Sequence, residues 1–443
     1  MNKKLKKVID SQCCSGCGAC IFLDKSIGSK MIDTEIGPIP VFCEDSEIDN
    51  SINEACPGCG INYPELYKSF FGKFPTNWLT GIIENVRTGY SNDEDIRVNS
   101  ASGGVITQTL IYLLENGIVD AVILAKQGIP SPEKAKAFIA RTKEEISECA
   151  QSIYIPVSML DILKDLDPNE KYAMTCLPEQ SASLRVLQKN NFKPALQIKY
   201  IIGPYTGTAI YPEAIRCFLR SNRIKDSDKI TSLKWREGNW AGYLEIKTRS
   251  GKVLRSPKVY YNYLIPFFIT QNSLQSMDFA NEFADLAVGD AWSPSFEALG
   301  GGHSVVVTRN IEIESIIEDM CKKGLLELKV EDSLKASDMH GHMLDFKKRG
   351  GWIRNKWRKS IGKPAPDYGY RPKQIPISRY LVEIVISIIF LFGRLKLLRW
   401  LFSKIPESII GPVFNFLRLS WKKLSRPTKR KGLSNFEVEI TKK

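Results

Sequence analysis

An α/β chain in three parts is what the sequence predicts: a small cysteine-rich module over residues 1–75, a mixed α/β body over 76–345, and a basic amphipathic helical tail over 346–443. Three observations carry this prediction. Seven of the eleven cysteines precede residue 60, segments of strand and helix periodicity alternate between 76 and 330, and basic residues crowd the chain beyond 347.

With 443 residues, 43% hydrophobic and 25% charged, the chain can build two or three domains with sizeable cores, and its composition is that of a globular protein. The net charge of +13 is unevenly spread. Residues 347–443 hold 24 Lys+Arg against 5 Asp+Glu, a surplus of 19, so residues 1–346 carry −6. An acidic body argues against a nucleic-acid partner. The opening MNKKLKKVIDSQ has no apolar stretch of the secretory kind. A cytoplasmic location is therefore expected, with the cysteines assigned to metal chemistry rather than disulfides.

Cys14, Cys17 and Cys20 have the C-x2-C-x2-C spacing of a cubane site, in which a distant cysteine, typically followed by proline, supplies the fourth ligand. Cys56, followed by Pro57, fits that role. One 4Fe-4S cluster on Cys14, Cys17, Cys20 and Cys56 is the expectation. Zinc is the alternative, although zinc favours two separated pairs. Cys13, Cys43 and Cys59 remain as alternative ligands or buried thiols. The intervening segment reads as a short hairpin with little core, so the metal is expected to contribute much of its folding free energy.

In the body, Ser100-Ala101-Ser102-Gly103-Gly104 leads into Val105, Leu110, Ile111, Leu113 and Leu114 at helical spacing. The helix begins at the glycines, Gly117 stops it, and residues 119–124 read as a buried strand. Unpaired first-turn N–H groups and the helix dipole favour an anion there, which makes a phosphate-sized cradle. The alternative is an ordinary helix packed on a sheet. Next come strands over 172–175 and 196–202 with a helix from Gln180 to Gln188 between them, which predicts parallel pairing. A helix over 212–222 follows the second strand.

Residues 231–235, 243–248 and 253–254 alternate in period two around a Ser250-Gly251 turn and predict antiparallel hairpins. Trp235, Arg236 and Trp240 flank Gly238 and Gly242, a loop able to cover a planar ligand or simply pack on the core. Residues 285–292 combine a buried strand with Gly289-Asp290 at its C-terminal end, the edge where open α/β sheets bind ligands. Asp290 and Trp292 are site candidates, with His303 behind them. A strand over 304–308, a helix over 312–323 and a strand over 325–330 close the body.

No P-loop or H-E-x-x-H motif is present, and Gly300-Gly301-Gly302 reads as a turn. Residues 380–392 of the tail, YLVEIVISIIFLF, fall short of the roughly 20 residues needed to span a bilayer. The two segments that follow mix apolar residues with Arg, Lys and Trp as interfacial helices do. Peripheral attachment to an anionic inner membrane face is expected, the alternative being a helical arm that docks on a partner subunit.

The order of these pieces resembles the coenzyme F420 hydrogenase/dehydrogenase beta-subunit family of iron–sulfur flavoproteins, which also includes the 7-hydroxymethyl chlorophyll reductases. The matching pieces are the cysteine triplet with Cys56-Pro57, Ala101-Ser102-Gly103-Gly104-Val105, and Gln151-Ser152-Ile153-Tyr154-Ile155-Pro156. Leu177-Pro178, Ile202-Gly203 and Asn281-Glu282-Phe283-Ala284-Asp285 through Trp292 follow in order. The resemblance implies FAD, rather than FMN, at Ser102, Gly103 and Gly104 with Tyr154, Asp290 and Trp292, and electron exchange between that flavin and the cluster. It also implies a redox donor such as ferredoxin, reduced F420 or NAD(P)H.

Relatives often carry four further cysteines; the corresponding positions here are Glu179, Thr206, Ser273 and Ser276. Their joint absence implies that a whole second cluster is missing, and Cys176 alone cannot hold one. Glu179 and Asp290 are the acid/base candidates. Two functions follow: a flavin and iron–sulfur oxidoreductase at the membrane surface, or a non-catalytic electron-transfer or assembly subunit of a partner enzyme, including one of polysaccharide biosynthesis.

Overall fold

Two short antiparallel strands, β1 (Lys30–Thr34) and β2 (Gly37–Val41), precede the large sheet at the centre of the computed structural model, which describes residues 3–441. That sheet is built from β3 (Asn85–Ser91), β4 (Ala121–Gln127), β5 (Ala135–Ala140), β6 (Tyr172–Thr175) and β7 (Ile198–Pro204). A separate three-stranded sheet follows in the chain, β8 (Ile230–Glu237), β9 (Tyr243–Thr248) and β10 (Val253–Pro257). Then β11 (Leu286–Asp290), β12 (Ser304–Thr308) and β13 (Leu326–Val330) complete the large sheet in the order β13-β3-β12-β11-β7-β6-β4-β5.

The pairs β4–β6, β6–β7 and β7–β11 are parallel, and the flanking pairs are antiparallel. The sheet is therefore mixed, with the parallel centre that strand-helix-strand alternation predicts. Period-two geometry divides each strand between two cores. Ile123, Met174, Ile201, Ala287 and Val307 face one; Val122, Leu124, Ala173, Ile202, Leu286 and Val306 face the other. Helices Val105–Glu115 and Ile311–Lys322 cover the second face, and helix Pro178–Lys189 covers the first.

Leu5, Val8, Ile21 and Ile52 of the cysteine-rich segment lie in the same core as Leu184, Leu187 and Ile201 of the body. The hairpin β1–β2 contributes few buried residues, so the segment folds against the body rather than around a core of its own.

Beyond residue 345 the chain stays in this core before it emerges. Phe346–Gly350 forms a π-helical turn, and Lys347, Lys348 and Arg349 are at most 2% exposed. The strands β14 (Tyr370–Pro372) and β15 (Val438–Ile440) pair antiparallel, and Leu433 and Phe436 return to the first core. Three tail helices, Ile377–Gly393, Lys396–Phe402 and Glu407–Arg430, lie between those strands; the second and third pack on the core of the three-stranded sheet through Phe402, Ile410 and Phe414, and the first packs through Ile386 against Ile269, Leu274 and Phe346. Among the described residues no helix is long and apolar enough to cross a membrane.

Candidate functional site

The cysteine loop is shaped by two left-handed glycines, Gly16 (φ +69°) and Gly18 (φ +89°). A Cβ on Gly16 would stand 2.8 Å from Pro38 Cγ, and one on Gly18 2.5 Å from Ser158 Oγ, so neither position has room for a side chain. The loop is docked on the body by Met159 and Leu160, whose N–H groups donate to Cys17 O at 3.2 and 2.8 Å. Cys17, Cys20 and Cys56 are buried and Cys14 is half-buried.

Burial first, and then the neighbouring thiols, push Cys14 and Cys17 up to about 12 and Cys20 well above the usual thiol range. These thiols thus lie within one another's electrostatic field. As bare thiolates such a set is unfavourable; a bound cation reverses that balance by ligating the deprotonated sulfur. The donors are thiols alone, the chemistry that iron–sulfur ligation uses, and the Gly16 N–H lies 3.4 Å from Cys14 Sγ. Among the described residues no group of three or more His, Cys, Asp or Glu side chains is gathered as for a single metal ion. Cys14, Cys17, Cys20 and Cys56 nonetheless fit a shared cluster in donor type and burial.

The spare thiols are engaged differently. Cys43 Sγ lies 3.0 Å from Ser26 Oγ, and Cys13 Sγ accepts from Ser11 Oγ at 3.0 Å. Cys59 shares a hydrogen bond with Cys56 that raises the Cys56 thiol and lowers its own.

A cavity of about 1710 Å³ opens over the large sheet. β4, β6, β7 and β11 all end at one edge, and β3, antiparallel to β12, ends there too. This is the C-terminal edge at which open α/β sheets bind ligands. Ser102, Gly104, Tyr154, Asp290 and Trp292 line the cavity together. Gly103 does not. Its N–H donates to Ser304 Oγ at 3.1 Å, and a Cβ there would stand 2.6 Å from Gly89 O, so this glycine serves close packing on β3. Gly104 (φ +76°) opens the helix without any side-chain cap, and its first turn, Val105 to Thr107, lines the cavity. The turn singled out in the sequence thus lies at a cavity wall.

Arg236 and Lys258 hold this wall together. The Arg236 guanidinium donates to Ala101 O at 2.6 Å and to Tyr154 Oη at 3.2 Å, and lies 3.3 Å from Asp290 Oδ2. The Lys258 ammonium donates to Tyr154 Oη. Burial opposes ionisation of Tyr154, but the two cations outweigh it and bring the phenol down to about 8. Trp240 and Trp292 pack at a ring separation of 4.7 Å on the same cavity. His340, 3% exposed, stands beside Asp290, and burial holds its imidazole neutral down to about 4.

Lys258 and His340 are absent from the sequence reading. No local pattern announces either: Lys258 acquires its role through a residue 104 positions away, and His340 sits in an unremarkable polar stretch at the end of the body. His303 lies behind the wall, where its backbone O accepts from Ser102 Oγ at 2.7 Å. The Asn281–Asp285 motif is a structural clasp. Asn281 Nδ2 donates to Cys176 O at 2.7 Å, and Asp285 accepts from Arg185 at 2.7 Å and from the Ile201 N–H at 2.8 Å.

Glu179, Thr206 and Ser273 border one small void of about 40 Å³ beside Cys14. Ser276 is not among its walls and donates to Asp278 O at 3.3 Å. The same void receives Lys347, whose ammonium donates to Ser273 O at 3.0 Å and is brought down to about 8 by burial, with Glu179 opposing. Glu179 is 8% exposed, a buried carboxylate rather than a solvated one. The void and the large cavity share Val157, Leu177, Gln180, Thr206 and Ala209, so one layer of residues separates the cysteine side from the cavity.

Family models described as coenzyme F420 hydrogenase/dehydrogenase beta subunit, N-terminal and C-terminal, match residues 86–164 and 169–333. The chain is similar to the coenzyme F420 hydrogenase subunit beta of Methanothermobacter thermautotrophicus, 22% identical over 300 residues that cover 65% of this chain and 99% of that protein. It is also similar to the coenzyme F420-dependent sulfite reductase of Methanocaldococcus jannaschii, 24% identical over 345 residues, or 74% of this chain and 48% of that protein. It thus spans about half of the sulfite reductase. A chain in the F420-reducing NiFe hydrogenase complex of Methanosarcina barkeri shares the fold, with a TM-score of 0.52 and 19% identity over 65% of this chain and 96% of that one. With two consecutive family models spanning the body and relatives matched along most of their length, the chain belongs to the coenzyme F420 hydrogenase/dehydrogenase beta-subunit family.

Proposed function

We propose that the protein is a flavin- and 4Fe-4S-dependent oxidoreductase that passes electrons between a one-electron or deazaflavin-type donor and a substrate at the large cavity. The observation that carries this reading is the single shared layer, Val157, Leu177, Gln180, Thr206 and Ala209, between the cysteine side and the cavity. Membership of a family whose named relatives are F420-linked redox proteins supports it. When bound, FAD would supply exchange between electron pairs and single electrons, and the cluster the single-electron side.

The chain's own residues have separate tasks. The first turn of helix Val105–Glu115, behind Ser102 and Gly104, offers N–H groups to a diphosphate. Arg236 fixes that turn relative to Tyr154 and Asp290, the cations Arg236 and Lys258 poise the Tyr154 phenol, and the Trp240–Trp292 pair offers an apolar face to a planar ring. Cys14, Cys17, Cys20 and Cys56 hold the cluster. Lys347 stands as a fixed cation in the region where the resemblance calls for a second cluster, so one cluster is the expected complement. Glu179 and Asp290 are the candidate acid/base groups.

A second reading is a non-catalytic electron-transfer or assembly subunit of a partner enzyme, and the apolar side chains that the tail helices leave exposed favour docking of some kind. The same tail, basic and amphipathic, supports attachment to an anionic membrane surface on the cytoplasmic side. Anaerobic purification tests the two readings. Bound flavin, about four irons per chain and bleaching by reduced F420, NAD(P)H or ferredoxin are expected for the oxidoreductase. Cluster without flavin would favour the subunit, and a colourless, iron-free protein would overturn both.

A further inference from the structure

The cavity is larger than a flavin pocket needs to be: about 1710 Å³, where a pocket for one small ligand occupies roughly 300–1,000 Å³. Its inner end is the wall just described. Its outer end is made by the tail. In the third tail helix, Ile410, Phe414, Leu417 and Trp421 recur at helical spacing and line the cavity, joined by Ile389 and Phe390 of the first. The same helix then lines it with Arg418, Lys422, Arg426 and Arg430, four cations spaced four residues apart.

Arg430 is paired with Asp338, but Lys422 and Arg426 have no carboxylate within ion-pair distance among the described residues, and Arg418 Nε is buried without a partner. These charges line the same cavity as the inner end. Arg418 and Lys422 crowd His342, Lys422 lies in the field of Glu297, and His342, Glu297 and His340 all line the cavity beside Asp290. His340 Nε2 and Arg236 Nε are likewise buried without partners there, although both residues are only 3% exposed. On their outer faces the tail helices present Leu381, Leu391, Trp400, Phe416 and Leu424 at 50% exposure or more. The wall of the cavity is thus also the apolar surface of the molecule.

We propose that, beside the flavin, this cavity takes a long-chain lipid with a phosphate or diphosphate head group, its chain along Ile410, Phe414 and Leu417 and its head on Arg418, Lys422 and Arg426. The apolar half requires a hydrocarbon, the cationic stripe requires an anion, and their order along one helix requires both in one molecule. The head group is delivered to the Asp290 and His340 end, so the group that reacts is carried at or near the phosphate. This inference rests on the assignment of the inner end to flavin. Bilayer phospholipid and dispersed lipid phosphate share the chemistry, and the test separates them.

Full-length protein, purified anaerobically and assayed for flavin and iron in the same sample, is titrated with dodecyl phosphate, dodecanol and inorganic phosphate while tryptophan fluorescence is followed. Dodecyl phosphate is expected to bind at least about tenfold more tightly than either fragment. The double variant Arg418→Glu/Lys422→Glu, with flavin and iron unchanged, is expected to lose about tenfold of that affinity, as is Leu417→Asp. Equal binding of dodecanol, or no effect of charge reversal, overturns the proposal. Binding to phosphatidylglycerol vesicles without binding of dispersed dodecyl phosphate also overturns it, and leaves only a membrane-docking face. Lipid binding by a flavin-free sample would sink the flavin assignment alone; a flavin-loaded sample that ignores the lipid would sink this proposal alone.

Discussion

Arg236 donates to the carbonyl of Ala101 at 2.6 Å, joining strand β8 of the three-stranded sheet to the turn that starts helix Val105–Glu115. The same guanidinium lies 3.3 Å from Asp290, so one buried cation ties together three pieces of chain that are far apart in sequence.

Replacing Arg236 by Ala should therefore loosen the turn and leave Asp290 without its strongest partner. A loss of about 3 kcal/mol is expected, because removing one member of a buried charge pair strands the other. Arg236→Lys keeps the charge but cannot span Ala101, Tyr154 and Asp290 together. Its fold should survive and its bound flavin should fall. Chemical denaturation and flavin-to-protein ratios measure the two effects, and a Lys variant with full flavin would refute the bridging role.

Cys56 and Cys59 are neighbours with opposite displacements from the ordinary thiol range, yet only Cys56 is buried as Cys17 and Cys20 are. Cys56→Ser is expected to abolish iron binding and Cys59→Ser to retain it. Iron analysis and the visible spectrum of both variants decide the assignment; the reverse pattern would move the fourth ligand to Cys59.

The tail is fastened by a buried charge network. Glu383 lies 2.6 Å from Arg354 and 2.9 Å from Arg379, while Asp345 lies 2.6 Å from Arg349 and 2.8 Å from Arg379. Glu383→Ala should cost about 3–5 kcal/mol by leaving the Arg354 guanidinium unpaired in the core and Arg379 with Asp345 alone. The double variant Glu383→Met/Arg354→Met should be less destabilised than the sum of its single variants. Additive losses would show that the pair does not act as a unit.

His340 sets a pH dependence. Its imidazole ordinarily titrates near 6.5 and is held down to about 4 by burial, with the carboxylate of Asp290 opposing and the rings of Tyr205 and Phe279 packed against it. Below 6.5 the unfolded chain takes up a proton that the folded chain refuses, so this stability is complete above 6.5 and is lost as pH falls toward 4. The loss is on the order of 3 kcal/mol. Comparing denaturation midpoints of the parent and His340→Gln at neutral and acidic pH tests it: the variant should show the shallower decline.

The order of elements was legible in the sequence because it rests on local periodicity. The alternation of residues 119–124, 172–175 and 285–290 became the parallel centre of the sheet, and Gly103-Gly104 did open a helix, because apolar spacing and left-handed backbone are properties of short segments. The cysteine spacing likewise points to its chemistry without any fold. Even there, tertiary contacts divided the roles: Gly104 faces the cavity, whereas Gly103 is small because β3 passes 2.6 Å from where its Cβ would stand.

What the sequence by itself determined is the family, many of the body's strands and helices though not β3 or β5, and the residue types expected to bind cluster and phosphate, all written in short-range pattern. Only the tertiary structure decided that Lys258 poises Tyr154, that Lys347 occupies the void bordered by Glu179, Thr206 and Ser273, and that the tail closes the large cavity. The physical reason is that electrostatic and packing relations depend on distance in space. A lysine with no distinctive neighbours in the chain acquires its role from a phenol 104 residues away, and an amphipathic tail has an inner and an outer apolar face only once it is folded over something.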